Sequence, residues 1–289
     1  MLAPIAAAAA TLAGCPLFPS SFATNQRVDA LPVAPDSAAI VRSIGLDGSI
    51  HADFGSGRWD GGPIGIPYDV VRRATRRSTV RFGYADESDR VRYPIPRGVH
   101  IEGGPQSDGD RHALLVDRDR CKLFELYALR RQGGRWTAGS GATWSLRAPR
   151  LRPLGWTSAD AAGLPILPLL ARYQEVRSGR ITHALRMTVS QSRRAFVLPA
   201  RHFASSDDDP ALPRMGERLR LKAWVDISHL PPQARVVAQA FKEYGLIVAD
   251  NGSDWYVSGA PHRRWDNDQL HALDALEGRH FEVVTAPGG

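Results

Sequence analysis

Two kinds of residue in this sequence stand where they could move a proton or hold a charge against an apolar background. Glu125 lies in the run LFELYAL, on the face that a strand would share with Leu123 and Tyr127. A carboxyl starved of water there keeps its proton near neutrality, which makes it a general acid. The same position equally accommodates an ion pair with one of the chain's many arginines. Asp53 in HADFGSG and Asp110 in SDGDRHALLVD sit at strand ends or turns, as do Glu102 and Asp250. Either of the first two supplies the second carboxylate that glycoside hydrolysis needs across the scissile bond. His112, His183 and His202 are the candidate bases. With strand alternation His112 shares a face with Leu114 and Val116, and His183 with Ile181, Leu185, Met187 and Val189. The pair lines the concave face of a curved sheet, or His183 is a core histidine bonded to the backbone.

A second set of residues would bind rather than react. Arg111, Arg186 and Arg201 stand beside the histidines, and a guanidinium fork neutralises a carboxylate in two parallel hydrogen bonds. That suits β-elimination on a uronate, with a histidine abstracting the adjacent proton. In NGSDWYVSGAPHRRWD, Asp250, Asn251, Trp255 and Trp265 mix aromatic faces with amide and carboxyl groups. Sugars bind such sets, although amphipathic rings also pack over sheet edges. Asp207, Asp208 and Asp209 read as a solvated acidic turn, and neither a metal nor a cofactor is expected.

The elements that would position these residues are mainly short strands separated by turn chemistry: STVRFGYA, HALLVD, KLFELYAL, ATWSLRA, RITHALRMTVS, RRAFVLPA and ERLRLKAWVDI. RDR at 118–120 reads as a hairpin loop. Two helices come late. PPQARVVAQAFKEYG begins on prolines, carries Val236, Val237, Ala240, Phe241 and Tyr244 on one stripe and stops at Gly245. DNDQLHALDALEG turns Leu270, Leu273 and Leu276 inward. Many strands and few helices predict a mainly β fold, a β-sandwich or jelly-roll-like single domain over 38–289 with a few short helices at its edge.

The amino terminus reads as an address. Residues 1–14 are uncharged and rich in Ala and Leu, too short for a bilayer span and suited to a signal peptide, although no Lys or Arg precedes the run. LAGC, Leu12 to Cys15, resembles a bacterial lipobox. Cleavage before Cys15 would leave that thiol as a lipidation point, with 15–37 as a flexible Pro- and Ser-rich tether. Cys121 is then left without a partner, as a small buried thiol.

Absences narrow the chemistry. There is no P-loop, no dinucleotide fingerprint, no paired C-x-x-C, no H-E-x-x-H and no G-x-S-x-G. The net charge of +7 comes from scattered arginines, only Lys122, Lys222 and Lys242 being lysines, so it predicts no nucleic-acid partner.

The stretch GWTSADAAGLPILPLLARYQEVRSGRITHALRMTV, with PARH, MGERLRLKA, YGLIVADNGSDWYVSG and RWD after it and GIPYDVV, DRHALLVD and CKLFELY before it, resembles an uncharacterised family of exported bacterial proteins. The resemblance spans roughly residues 40–285. It implies export and a family-wide domain but no activity. The sequence reading is therefore an exported lipoprotein in the cell envelope, or a secreted protein, acting on a polysaccharide as a glycoside hydrolase or polysaccharide lyase. The alternative is a non-catalytic glycan-binding or scaffold lipoprotein.

Overall fold

The computed structural model describes residues 10–285. Most of the expected signal peptide, residues 1–9, lies outside them. Strands predominate over helices, as the turn-punctuated sequence requires. They fall into five sheets of six, four, three, two and two strands.

The four-stranded sheet is built around the hairpin Ala113–Asp117 and Lys122–Leu126, paired from Ala113 with Leu126 to Asp117 with Lys122. Its turn is the expected RDR. The buried Asp117 fixes that turn by accepting from the Arg120 amide (3.2 Å) and pairing with Arg77 (2.9 Å). Gly141–Ser145 and Tyr68–Val71 complete the sheet on either side. Burial runs unbroken along Ala113–Asp117 because both faces are covered. Leu114, Val116, Leu123 and Trp144 belong to one apolar cluster, and Ala113, Leu115, Phe124 and Leu126 to another.

What covers the first of those faces corrects the reading of the amino terminus. Leu12, Leu17 and Phe18 are buried in the same cluster as Leu114 and Val116. Thr11–Leu12 and Cys15–Pro16 form a small hairpin across Ala13 and Gly14. Asn25 is buried too, its amide donating to the carbonyls of Leu17 and Phe18. Residues 15–37 are therefore a covering layer of the body and not a tether. Cys15 is joined to Cys121 in a disulfide. A sulfur so engaged carries no thioether, so Cys15 as lipid attachment point and Cys121 as an unpartnered thiol are both overturned.

The six-stranded sheet runs Phe281–Val284, Arg218–Leu221, Leu246–Asn251, Leu185–Val189, Tyr256–Ser258 and His51–Asp53. Over it lies the helix Pro232–Glu243, burying Ala234, Val237, Ala238, Ala240 and Phe241, with Gly245 in the left-handed region just past its end. Asn267–His271 is capped by the Asp266 carboxylate, and Leu270, Leu273 and Leu276 point inward as their spacing predicts. Neighbouring strands run parallel in four pairings, which an antiparallel sandwich would not contain. Two of these, Leu185–Val189 with Leu246–Asn251 and Tyr256–Ser258 with His51–Asp53, lie in this sheet. They join segments far apart in the chain, a pairing that local periodicity does not encode. RRAFVLPA forms only an isolated bridge, Phe196 to Met215. No helix among the described residues is long and apolar enough to cross a membrane.

Candidate active site

The loop before strand Ala113–Asp117 carries Glu102, and His112 stands at the strand's threshold. The His112 ring is buried, with Nε2 at 2.9 Å from the Ala159 carbonyl and Nδ1 at 2.6 Å from Glu102 Oε2. A carbonyl only accepts, so Nε2 donates. Nδ1 donates its proton in a hydrogen bond to the carboxylate, and the ring is an imidazolium. Burial alone would drive its pKa down, but Glu102 reverses that and lifts it to about 9. Burial likewise works against the Glu102 anion, but His112 outweighs it and holds the carboxyl below the usual range. Glu102 is thus a fixed anion, with Oε1 free of hydrogen bonds among the described residues. His112, read as a base, has no lone pair to use; it positions Glu102.

Beneath it, strand Leu185–Val189 sends in Arg186. Its Nε and Nη2 fork onto the buried Asp160 at 2.9 and 2.8 Å, and Nη1 donates to Ser258 Oγ at 2.8 Å. Nη2 also reaches Asp250 at 3.3 Å. Arg186 is therefore spent on holding carboxylates and is not a substrate clamp. Asp250 receives only the remainder of that charge. Desolvation and the neighbouring Asp160 push its carboxyl up to about 7.

Two hollows open around this charged floor. The larger, about 1010 Å³, is lined by His51, Asp53, Trp59, Glu102, Tyr256 and Asn267 among others. Trp59 is 79% exposed, and His51 lies against Tyr256 with ring centroids 4.2 Å apart. Asn267 clamps the wall by accepting from the Ser56 amide and donating to the Ser56 carbonyl. Gly62 lets the Arg58–Pro63 hairpin lie directly on Gly103, since a Cβ there would meet the Gly103 backbone at 2.2 Å. Asp53, exposed at the end of its strand, opens onto this cleft, where partial desolvation and then Glu102 raise its carboxyl. The smaller hollow, about 330 Å³, is lined by Tyr84, Asp110, Tyr127, His202, Asp250 and Asn251 among others. The hollows adjoin, for ligand atoms of Glu102, Asp110 and His112 lie within 4.8 Å of one another. A cation seated on that trio would first have to displace the His112 Nδ1 proton.

So Asp53 joins Glu102 in one hollow, and Asp110, His202, Asp250 and Asn251 meet in the other. The remaining candidates lie elsewhere. Glu125 is fully buried and accepts from the Ile166 and Leu167 amides at 2.8–3.1 Å, opening the turn Leu167–Leu169. Burial pushes its carboxyl up to about 8 despite those bonds. Its task is to satisfy amides, not to meet substrate. Glu125→Ala strands both, each costing ~1–3 kcal/mol. Thermal unfolding should show a loss of about 3 kcal/mol.

His183 is the core histidine of the plainer reading, donating from Nδ1 to the Ala184 carbonyl (2.7 Å) and accepting from Arg172 (2.9 Å). Arg111 pins the cleft-wall loop through the carbonyls of Pro105 and Ser107, and Arg201 donates to the Arg152 carbonyl. Trp255 and Trp265 are buried, their indoles donating to the carbonyls of Gly45 and Ala260, so neither is a sugar platform. The exposed tryptophan on the cleft is Trp59, which lies in the surface hairpin that its setting, GRWDGG, marks. Comparison with known proteins returns no match to any family model, curated protein or solved structure.

Proposed function

We propose that the chain is an exported glycoside hydrolase acting on a non-acidic polysaccharide. The observation that carries this reading is that Asp53 and Glu102 line one cleft while their surroundings drive their protonation in opposite directions. Splitting two carboxyls in this way assigns an acid and a base. Asp53, whose carboxyl is raised, is the group placed to give a proton to the leaving glycosidic oxygen. Glu102, kept anionic by His112, stabilises the positive charge that develops at the anomeric carbon and takes the proton that the attacking water gives up; that proton then leaves to solvent, from which Asp53 regains its own. Trp59 and Tyr256 offer ring faces for sugars, and His51 and Asn267 offer polar atoms for hydroxyl groups.

Charge favours hydrolysis over elimination. Among the described residues Arg58 is the one arginine lining the cleft, where it donates to the Gly61 carbonyl, and the same walls carry Asp53, Asp60, Glu102 and Asp108. Arg111, Arg186 and Arg201 are committed to the protein itself, so a uronate lacks its guanidinium partner. The Cys15–Cys121 disulfide supports export, since such bonds persist in oxidising compartments.

The test is incubation of the full chain with neutral, amino and uronate polysaccharides. New reducing ends from a neutral or amino glycan, without the ultraviolet absorbance of unsaturated sugars, are expected. Unsaturated products would transfer the reading to a lyase, and retention on glycan without cleavage would make the protein a binding module.

A further inference from the structure

We infer that the smaller hollow is a second sugar subsite of the same groove, built for a neutral or amino sugar, so that the polysaccharide is cut within the chain rather than at its end. This rests on the hydrolase reading and adds to it the direction of the substrate and its charge. The two hollows lie side by side at Glu102: it lines one, Asp110 lines the other, and their oxygens lie within 4.8 Å. A sugar chain whose scissile bond lies at Glu102 therefore has room on both sides. Both hollows have the size of ligand sites, ~300–1,000 Å³, and the smaller suits a single ring.

The lining of the smaller hollow is that of a saccharide site. Tyr84, 56% exposed, and Tyr127 present aromatic faces. Asn251 Oδ1 accepts from Ser192 Oγ at 2.7 Å, which orients the amide and leaves its NH2 free to donate to a hydroxyl. His202 stacks on Phe203 and donates from Nδ1 to the Ala161 carbonyl (2.9 Å), with Nε2 3.8 Å from Glu87 Oε2 at the wall of the hollow. Charge sets the specificity. Glu87, Asp110, Asp160 and Asp250 line this hollow, no arginine or lysine among the described residues does, and Arg186, which reaches Asp250, is already forked onto Asp160. A uronate carboxylate placed here meets like charge, whereas hydroxyls find acceptors and an amino sugar finds counter-charge.

The probe is a series of oligosaccharides of increasing length, prepared from whichever panel polysaccharide is cleaved and reduced at one end. Two oligosaccharide fragments are expected from the longer members, with kcat/KM climbing until the groove is filled. Tyr84→Ala, at an exposed position where folding is not at stake, should lower the ratio of kcat/KM for long over short chains by about tenfold. Asn251→Ala should act in the same direction. Release of single sugars from a chain end, an unchanged ratio in both variants, or equal cleavage of uronate chains would overturn the subsite while hydrolysis stands. A wild-type protein inert towards every glycan would overturn both.

Discussion

Replacing Asp53 by Asn is expected to lower kcat/KM on the natural polysaccharide by about three orders of magnitude, within the 10²–10⁴ that a positioned general acid contributes. An amide cannot deliver a proton to the glycosidic oxygen. The loss should shrink on an aryl glycoside whose leaving group departs without protonation. The pH profile carries the same information. Activity requires Glu102 ionised and Asp53 protonated. Glu102 is held below the usual range by His112 and Arg186, so the acid limb sits low. Asp53 is raised by partial desolvation and by Glu102, against the opposing pull of His51 and Arg186, so wild-type activity falls as pH rises through its titration. In Asp53→Asn that alkaline limb should vanish. A variant that loses activity equally on both substrates and keeps the limb would remove Asp53 from the acid's role.

Breaking the Cys15–Cys121 bridge should cost about 4 kcal/mol. The two cysteines are 106 residues apart, and cross-linking a loop of that length removes ~4–5 kcal/mol of unfolded-chain entropy. The segment it holds also covers Leu114, Val116 and Leu123 through Leu12, Leu17 and Phe18. Cys15→Ser and Cys121→Ser should destabilise equally, and the double variant no further, because each removes the same bond. Denaturant unfolding with and without reductant checks this. Thiol titration of the unreduced protein should find no free sulfhydryl. A titratable thiol, or additive losses in the double variant, would show that the two sulfurs act separately.

Much of the framework was legible where the signal is local. The RDR hairpin, the stripe of Pro232–Glu243 closed by Gly245 and the inward Leu270, Leu273 and Leu276 all follow from spacing alone. Parallel partners such as His51–Asp53 with Tyr256–Ser258 were not legible, because pairing across 200 residues of chain leaves no periodic trace. The amino terminus misled for a related reason. Alanines and leucines before a cysteine look the same whether they feed an export channel or cover a sheet, and the partner Cys121 lies far along the chain. Asp53, Asp110, His202, Asp250 and Asn251 line the two hollows, as polar groups at strand ends tend to do. Glu125 was placed in the site because a buried carboxyl resembles an acid in sequence, yet the Ile166 and Leu167 amides that claim it lie 41 and 42 residues away. Arg186 likewise met its carboxylate inside the protein. Trp59 is marked as a surface ring by its glycine-flanked setting, whereas the core absorbs Trp255 and Trp265.

The most direct test of glycan hydrolysis at the Asp53–Glu102 cleft is digestion of the susceptible polysaccharide in heavy-oxygen water, with Glu102→Gln run in parallel. Wild type should place one heavy oxygen at each newly formed reducing end, and the variant should release no product above background. Unsaturated ends without solvent oxygen, or equal product from Glu102→Gln, would contradict the account.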